Sequence, residues 1–323
     1  MQIASKGRKI MNSANIDLSV ALIFFTRTVT LAKVFERIKE VKPSRLFLIQ
    51  DGPRANVPSD IVNIKKCREI VENVDWECTV FKNYAEENLG CGRRPHTGIS
   101  WVFEHTDQAV IIEDDCVVAK SFFSFCKEML SKYQEDERVG MISSWNHLGK
   151  YDFGGASYGF SKVAGCGAWA TWKSRWDKCR YNLDYLTPYL ESCLLQDITP
   201  SYVAKKKVKK WKEAQKEIHM GKNISYWDHQ WNCVRCLNSW LSITPKYNQM
   251  QNIGDGAGGT HFGKTLPKRI QKTFNMQTFD LEFPLTHTTT VIDDRNYDKQ
   301  CFKILYPNKL QLMISKIKQK LFR

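Results

Sequence analysis

Four short runs of β-branched and aliphatic residues, alternating with segments of helical period, constrain this chain more than any other feature. Residues 16–25 (IDLSVALIFF), 45–50 (RLFLIQ), 77–81 (ECTVF) and 109–112 (AVII) read as buried strands. Leu31, Val34, Phe35 and Ile38 recur at helical spacing and predict a helix over 31–41, which Pro43 stops. Helices are likewise expected at 61–73 and 97–104, with a turn-rich stretch at 88–95 before the last. This β-α-β-α-β-α-β alternation predicts an α/β fold with a parallel, doubly wound sheet. In such a sheet a ligand sits beyond the carboxyl ends of the strands.

What the chain places at those ends is chemically pointed. The fourth strand runs directly into Glu113-Asp114-Asp115. Burying adjacent anions is costly, so the triplet needs a cation or ready access to water. A hard divalent ion with oxygen ligands fits, and such ions commonly hold phosphates as well. The plain alternative is a solvated acidic turn, with Asp115 capping the helix that follows. Arg27 and Asp51 fall at the ends of the first and second strands. An arginine there can reach a base or a phosphate, and an aspartate can accept from a ribose hydroxyl or a base N–H. Ordinary turn chemistry is the alternative for both. No phosphate-loop or dinucleotide glycine fingerprint occurs, which leaves P-loop and NAD readings without support.

Charge narrows the partners. Lys and Arg total 48 against 34 Asp and Glu, a net charge of +14, which implies an anionic partner: nucleic acid, acidic lipid or a phosphorylated substrate. The eleven cysteines are irregularly spaced and the single C-x-x-C, Cys233 to Cys236, has no second pair at zinc spacing. They read as reduced core residues of a cytosolic protein. No segment reaches the ~18 apolar residues of a membrane span, and the basic start of the chain lacks the apolar region of a signal peptide. A cytoplasmic location is therefore expected.

Beyond the acidic triplet the pattern predicts a helix over 121–133 and a strand over 139–143. Glycines beside tryptophans in Gly165-Cys166-Gly167-Ala168-Trp169-Ala170-Thr171-Trp172 suit a sugar site, since glycine lets backbone approach and an indole face packs on a pyranose. Aromatic core packing is the alternative, and for most of these tryptophans the better one. Residues 204–222 are strongly basic and read as an exposed loop or helical insert. A solvated surface is the ordinary explanation, with acidic lipid or nucleic acid as possible partners. Asp228, near the start of a helix that runs through Leu237, is either a cap or a general base facing the sheet edge. A short strand over 241–244 precedes the glycine-rich loop 252–263, which could bring His261 to a metal or diphosphate. Residues 264–308 are less regular, and 309–323 form a basic amphipathic pattern suited to a membrane interface or to packing on the core.

The order of these parts resembles the GT-A nucleotide-sugar glycosyltransferases, and more narrowly bacterial relatives of the N-acetylglucosaminyltransferase I type. The resemblance rests on Phe24-Phe25-Thr26-Arg27, Leu48-Ile49-Gln50-Asp51-Gly52, Glu86-Glu87-Asn88-Leu89-Gly90, Ile112-Glu113-Asp114-Asp115, Gly167-Ala168-Trp169, Trp227-Asp228-His229-Gln230-Trp231 and Gly259-Thr260-His261. It implies a GT-A catalytic domain over 16–265, with the basic insert at 204–222, a flexible tail at 1–15 and a C-terminal extension at 266–323. It further implies that Asp115, with Glu113, ligates Mn²⁺ or Mg²⁺, and that Asp114 lies against the ribose or the metal's waters. Arg27, Asp51 and Asn88 would flank the nucleotide, and Gly167 and Trp169 would shape the sugar pocket. His261 would close on the diphosphate, and Asp228 would deprotonate the acceptor hydroxyl. The chain departs from the family pattern at Asp228, where one more residue separates the flanking tryptophans, and His229 becomes a second candidate base.

The implied activity is transfer of a sugar from a nucleoside diphosphate sugar, UDP-linked by preference, to a hydroxyl of a glycan or glycolipid, with inversion by single displacement. An anionic membrane surface is the expected partner for the surplus charge. Nucleic acid is set aside, because no binding motif accompanies the lysines. A nucleic-acid binder and a non-catalytic sugar-binding relative remain the competing readings.

Overall fold

The computed structural model describes residues 15–254 and 272–307. The expected loop residue His261, the 1–14 tail and the basic C-terminal segment lie outside the described residues.

The first half follows the alternation read from the sequence. Strand β1 (Ile16–Phe24), helix α1 (Thr28–Val41), β2 (Pro43–Gln50), α2 (Ser59–Val71), β3 (Thr79–Tyr84), α3 (Gly90–Val102) and β4 (Gln108–Glu113) follow one another. After β4 come β5 (Cys116–Val118), α4 (Ser121–Lys132), β6 (Val139–Ser143), β7 (Tyr158–Ser161), β8 (Ala168–Trp172) and the short α5 (Lys173–Trp176). The chain then turns helical through α6 (Pro188–Asp197), α7 (Ser201–His219) and α8 (Asp228–Leu237), before β9 (Leu241–Pro245), β10 (Met250–Asn252) and α9 (Arg295–Leu305).

The main sheet has eight strands in the order β3-β2-β1-β4-β8-β6-β9-β7. Strands β3, β2, β1 and β4 are mutually parallel, β8 runs against both β4 and β6, β9 is parallel to β6, and β7 runs against β9. Six strands thus point one way and two, β8 and β7, the other. This is the mostly parallel, Rossmann-like α/β sheet the sequence predicts.

Side chains of β1 alternate between the two faces, as strand geometry requires. Leu18, Val20, Leu22 and Phe24 join α1 and α4 in one core, and Ala21 and Ile23 join α3, α5 and α8 in the other. A third core gathers α6, α7, α8 and α9 around Leu194, Trp211, Cys233 and Tyr297. β5 pairs with β10 in a separate antiparallel ribbon.

One expectation changes, and one of two alternatives is found. The stretch read as turn-rich at 88–95 is already helix: α3 begins at Gly90 and carries Pro95 inside it. Its first amides are satisfied from another strand, for Asp51 accepts from Leu89 N and Gly90 N, each at 2.8 Å. Arg94 anchors the same turn by donating to Gln50 O at 3.1 Å and to Asn83 Oδ1 at 2.7 Å. Of the two alternatives for the basic run at 204–222, loop or helical insert, the helix is found. The run lies mostly in α7, which buries Val203, Ala204, Val208, Trp211 and Ala214 and leaves a lysine face outside.

Candidate functional site

β1 is flanked by β2 on one side and β4 on the other, so successive crossovers leave it in opposite directions. In an open α/β sheet this switch point is where a crevice forms at the carboxyl edge. Register brings the right residues there: Ile23 pairs with Glu113, and Phe24 with Gln50. The ends of β1, β2 and β4 are therefore level, and Arg27, Asp51 and the Glu113-Asp114-Asp115 turn follow them directly.

The acidic turn is held from several directions. Phe25 N donates to Asp114 Oδ2 at 3.3 Å, and Glu113 N donates to Gly167 O at 3.1 Å. Asp115 Oδ1 accepts from Asn252 Nδ2 at 3.0 Å and from the Cys116 thiol at 3.2 Å. Ile253 N donates to Asp115 O at 2.8 Å. The Trp227 indole N–H donates to Glu113 Oε1 at 3.0 Å. Arg27 bridges the two aspartates, donating Nη1 to Asp115 Oδ2 at 2.9 Å and Nη2 to Asp114 Oδ1.

One guanidinium thus bridges two of the three carboxylates and leaves Glu113 to the Trp227 N–H, and the electrostatics record the surplus. Burial pushes the Glu113 carboxyl up to about 8, with Asp115, Asp228 and Asp114 adding to the shift and the Trp227 N–H opposing it. Burial also raises Asp114, to about 6, although Arg27 pulls the other way. Burial works against the charge on Arg27, but Asp114 and Asp115 more than offset it and hold the guanidinium protonated. The donor set fits a divalent ion: Glu113, Asp115 and Cys116 each offer a ligand atom within 4.8 Å of the others. Cys116 is the weakest of the three, because burial first and the adjacent carboxylates second keep its thiol protonated.

Space around the turn is tight. A Cβ on Gly254 would stand 2.4 Å from Asp115 Oδ2 and 3.1 Å from Arg27 Nη1. A Cβ on Gly167 would stand 2.7 Å from Cys116 Sγ. Both glycines let backbone close on the acidic turn.

The other sequence candidates divide. Asp228 opens α8, and its charge acts on Glu113. Asp51 is buried and accepts from the amides of Gly52, Leu89 and Gly90 and from Asn88 Nδ2 at 3.1 Å. Burial raises its carboxyl despite these donors. Asn88 also donates to Gly52 O at 2.9 Å, so the pair works as a clamp on the start of α3. Trp169 is fully buried, with its ring centroid 5.0 Å from Trp231 and 5.8 Å from Trp227, and offers no ring face to solvent. His229 packs its ring on Tyr226 at 4.0 Å. A cleft of about 530 Å³ runs along the seam of α1 and α2, lined by Phe35, Lys39, Lys66 and Ile70, and does not include the acidic turn.

Trp227, Asn252 and Gly254 are site residues that the sequence reading did not assign. Each lies inside a motif already singled out, Trp227 in the stretch 227–231 and Asn252 and Gly254 in the glycine-rich loop, but none carried a role of its own. Among the described residues no helix is long and apolar enough to cross a membrane.

No protein-family model matches the chain. No curated protein matches it either. Among solved structures it is similar to apo UDP-glucose pyrophosphorylase, at 11% identity and TM-score 0.37 over 73% of this chain and 93% of that one. It is similar to UDP-glucose pyrophosphorylase complexed with UDP-glucose at 13% identity and TM-score 0.24, over 45% of this chain and 62% of that chain. HddC from Yersinia pseudotuberculosis is similar at 12% identity and TM-score 0.30, over 52% of this chain and 85% of that one. Likenesses of this size assign no chemistry to the chain.

Proposed function

We propose that the protein is a metal-dependent glycosyltransferase that moves a sugar from a nucleoside diphosphate sugar, preferably UDP-linked, to a hydroxyl of a glycan or glycolipid. The observation that carries this reading is the carboxylate cluster at the β1/β4 switch point, where Asp114 and Asp115 share the Arg27 guanidinium and Glu113 stands beside Asp115. Glu113 and Asp115 would hold Mn²⁺ or Mg²⁺. That ion, when bound, neutralises charge building on the departing diphosphate. Arg27 stands beside the same carboxylates and can turn its guanidinium to a phosphate or base. Asp228, whose charge is felt at Glu113, would take the proton of the attacking hydroxyl. Attack opposite the leaving group in a single displacement inverts the anomeric centre. Cysteines buried in the apolar cores, among them Cys67, Cys116, Cys126, Cys233 and Cys301, support a reducing, cytoplasmic setting.

The test is a panel of nucleotide sugars assayed for transfer and slow hydrolysis, with and without Mn²⁺, on the wild type and Asp115→Asn. Metal-dependent release of nucleoside diphosphate that Asp115→Asn abolishes is the expected result. Equal turnover and equal Mn²⁺ affinity in both proteins would remove the assignment. The competing reading is a relative that binds nucleotide sugar without turnover. Arg27 favours it, since it already occupies both aspartates. Donor binding without any product would decide for it.

A further inference from the structure

We propose that the lysine face of α7 docks the protein on an anionic phospholipid surface. Lys205, Lys209, Lys212 and Lys216 are spaced by four, three and four residues and are all exposed, so they form one row on the helix. The row is about 16 Å long at the helical rise. Exposed Lys206 and Lys210 widen it on one side. The opposite side of α7 is committed to the third core through Val203, Val208, Trp211 and Ala214. The row is therefore held rigidly outward.

Its neutralisation is incomplete. Lys212 pairs with Glu191 of α6 at 2.7 Å, and Lys209 reaches Glu213 at 3.8 Å. Among the described residues no carboxylate lies within ion-pair distance of Lys205, Lys210 or Lys216. Lys206 Nζ donates to Pro307 O at 3.1 Å, and Pro307 is the last described residue. The chain thus leaves the described structure beside this face, and the sequence that follows carries Lys309, Lys316, Lys318, Lys320 and Arg323.

Exposed apolar side chains occur on α6, which packs on α7, and just past the end of α7. Tyr189 and Leu195 of α6 are 76% and 39% exposed, and Met220, just past the end of α7, is 59% exposed. Exposed tyrosine and aliphatic side chains on the same helical layer as a lysine row suit the headgroup region of a bilayer. Single-stranded nucleic acid fits less well. The lysine row carries no aromatic side chain for bases to stack on: Trp211 is buried, and Tyr202, at the start of α7, has the Lys206 ammonium over its ring.

The experiment is co-sedimentation of the full chain with phosphatidylcholine vesicles, with and without phosphatidylglycerol. Binding to the anionic vesicles alone is expected, with loss on raising salt from about 0.1 M to about 0.5 M. The triple variant Lys205→Glu, Lys209→Glu, Lys216→Glu should bind at least about tenfold more weakly. The corresponding Lys→Gln variant, checked by circular dichroism, gives the same reading should charge reversal prevent folding. Tyr189→Ser with Met220→Ser should weaken binding while leaving its salt dependence. Unchanged vesicle binding by the lysine variants, equal binding to neutral vesicles, or tighter binding to single-stranded RNA overturns the proposal.

Discussion

The indole N–H of Trp227, the residue just before α8, donates to Glu113 Oε1 at the end of β4, across 3.0 Å. The bond joins the element that carries the candidate base to the strand that carries the candidate metal ligands. Trp227→Phe keeps an aromatic ring in the tryptophan cluster and removes the donor together with the five-membered part of the indole. It should cost about 1 kcal/mol of stability and weaken Mn²⁺ binding, read by urea unfolding and by calorimetric titration. No change in Mn²⁺ affinity would reduce Trp227 to a packing residue.

Removing Arg27 tests the charge balance. Arg27→Met leaves Asp114 and Asp115 facing each other and the neighbouring Glu113 without a cation. Because the arginine is partly exposed, the loss of stability should be near 2 kcal/mol, below that of a fully buried pair. Mn²⁺ should restore part of it by binding the folded state alone. Thermal unfolding with and without Mn²⁺ checks this. A melting temperature that the metal leaves unmoved in the variant would argue that the acids hold no ion.

Asp51 is expected to matter for folding whatever it does for a ligand. Asp51→Ala removes the acceptor for Gly52 N, Leu89 N and Gly90 N, and should cost about 2 kcal/mol. Asp51→Asn, which keeps one acceptor oxygen, should lose less. Denaturant unfolding of the two variants separates a helix clamp from a residue that only touches nucleotide.

Two histidines set an acid limit. Burial pushes the imidazoles of His96 and His147 down to about 4. An unfolded histidine titrates near 6.5. Between pH 6.5 and 4 the unfolded chain therefore binds protons that the folded chain refuses, and stability falls as pH falls. Each group can remove up to roughly 3 kcal/mol across that window. Glu113 and Asp114 are shifted upward and work in the opposite direction, so the histidine contribution is read by difference. His147→Leu should flatten the slope of stability against pH between 6.5 and 4, and an unchanged slope would show that His147 is not the source.

The parallel half of the sheet was legible because each strand and helix carries its own period. Strand β8 was not read as a strand: Ala168–Trp172 is buried along its whole length, so its sequence shows no alternation, only a glycine-rich approach and two tryptophans. The start of α3 was missed because its acceptor lies on another strand, 39 residues before Gly90. Helix α9 fell in the stretch read as less regular, although Asp294 accepts from Asn296 N and Tyr297 N as an ordinary cap, and Tyr297, Cys301 and Phe302 share its buried side. The acids and Arg27 were legible as strand-end chemistry. Their direct pairing was not, because the sequence gives no side-chain distances.

Asn252 reaches Asp115 from 137 residues downstream, and β10 pairs with β5 beside it. During synthesis the acidic turn therefore emerges long before its clamp. Until residue 254 has left the ribosome, β5 has no partner strand and Asp115 lacks two of its donors. Stalled or prematurely terminated chains can build the first four parallel strands and still be unable to set the geometry of the turn.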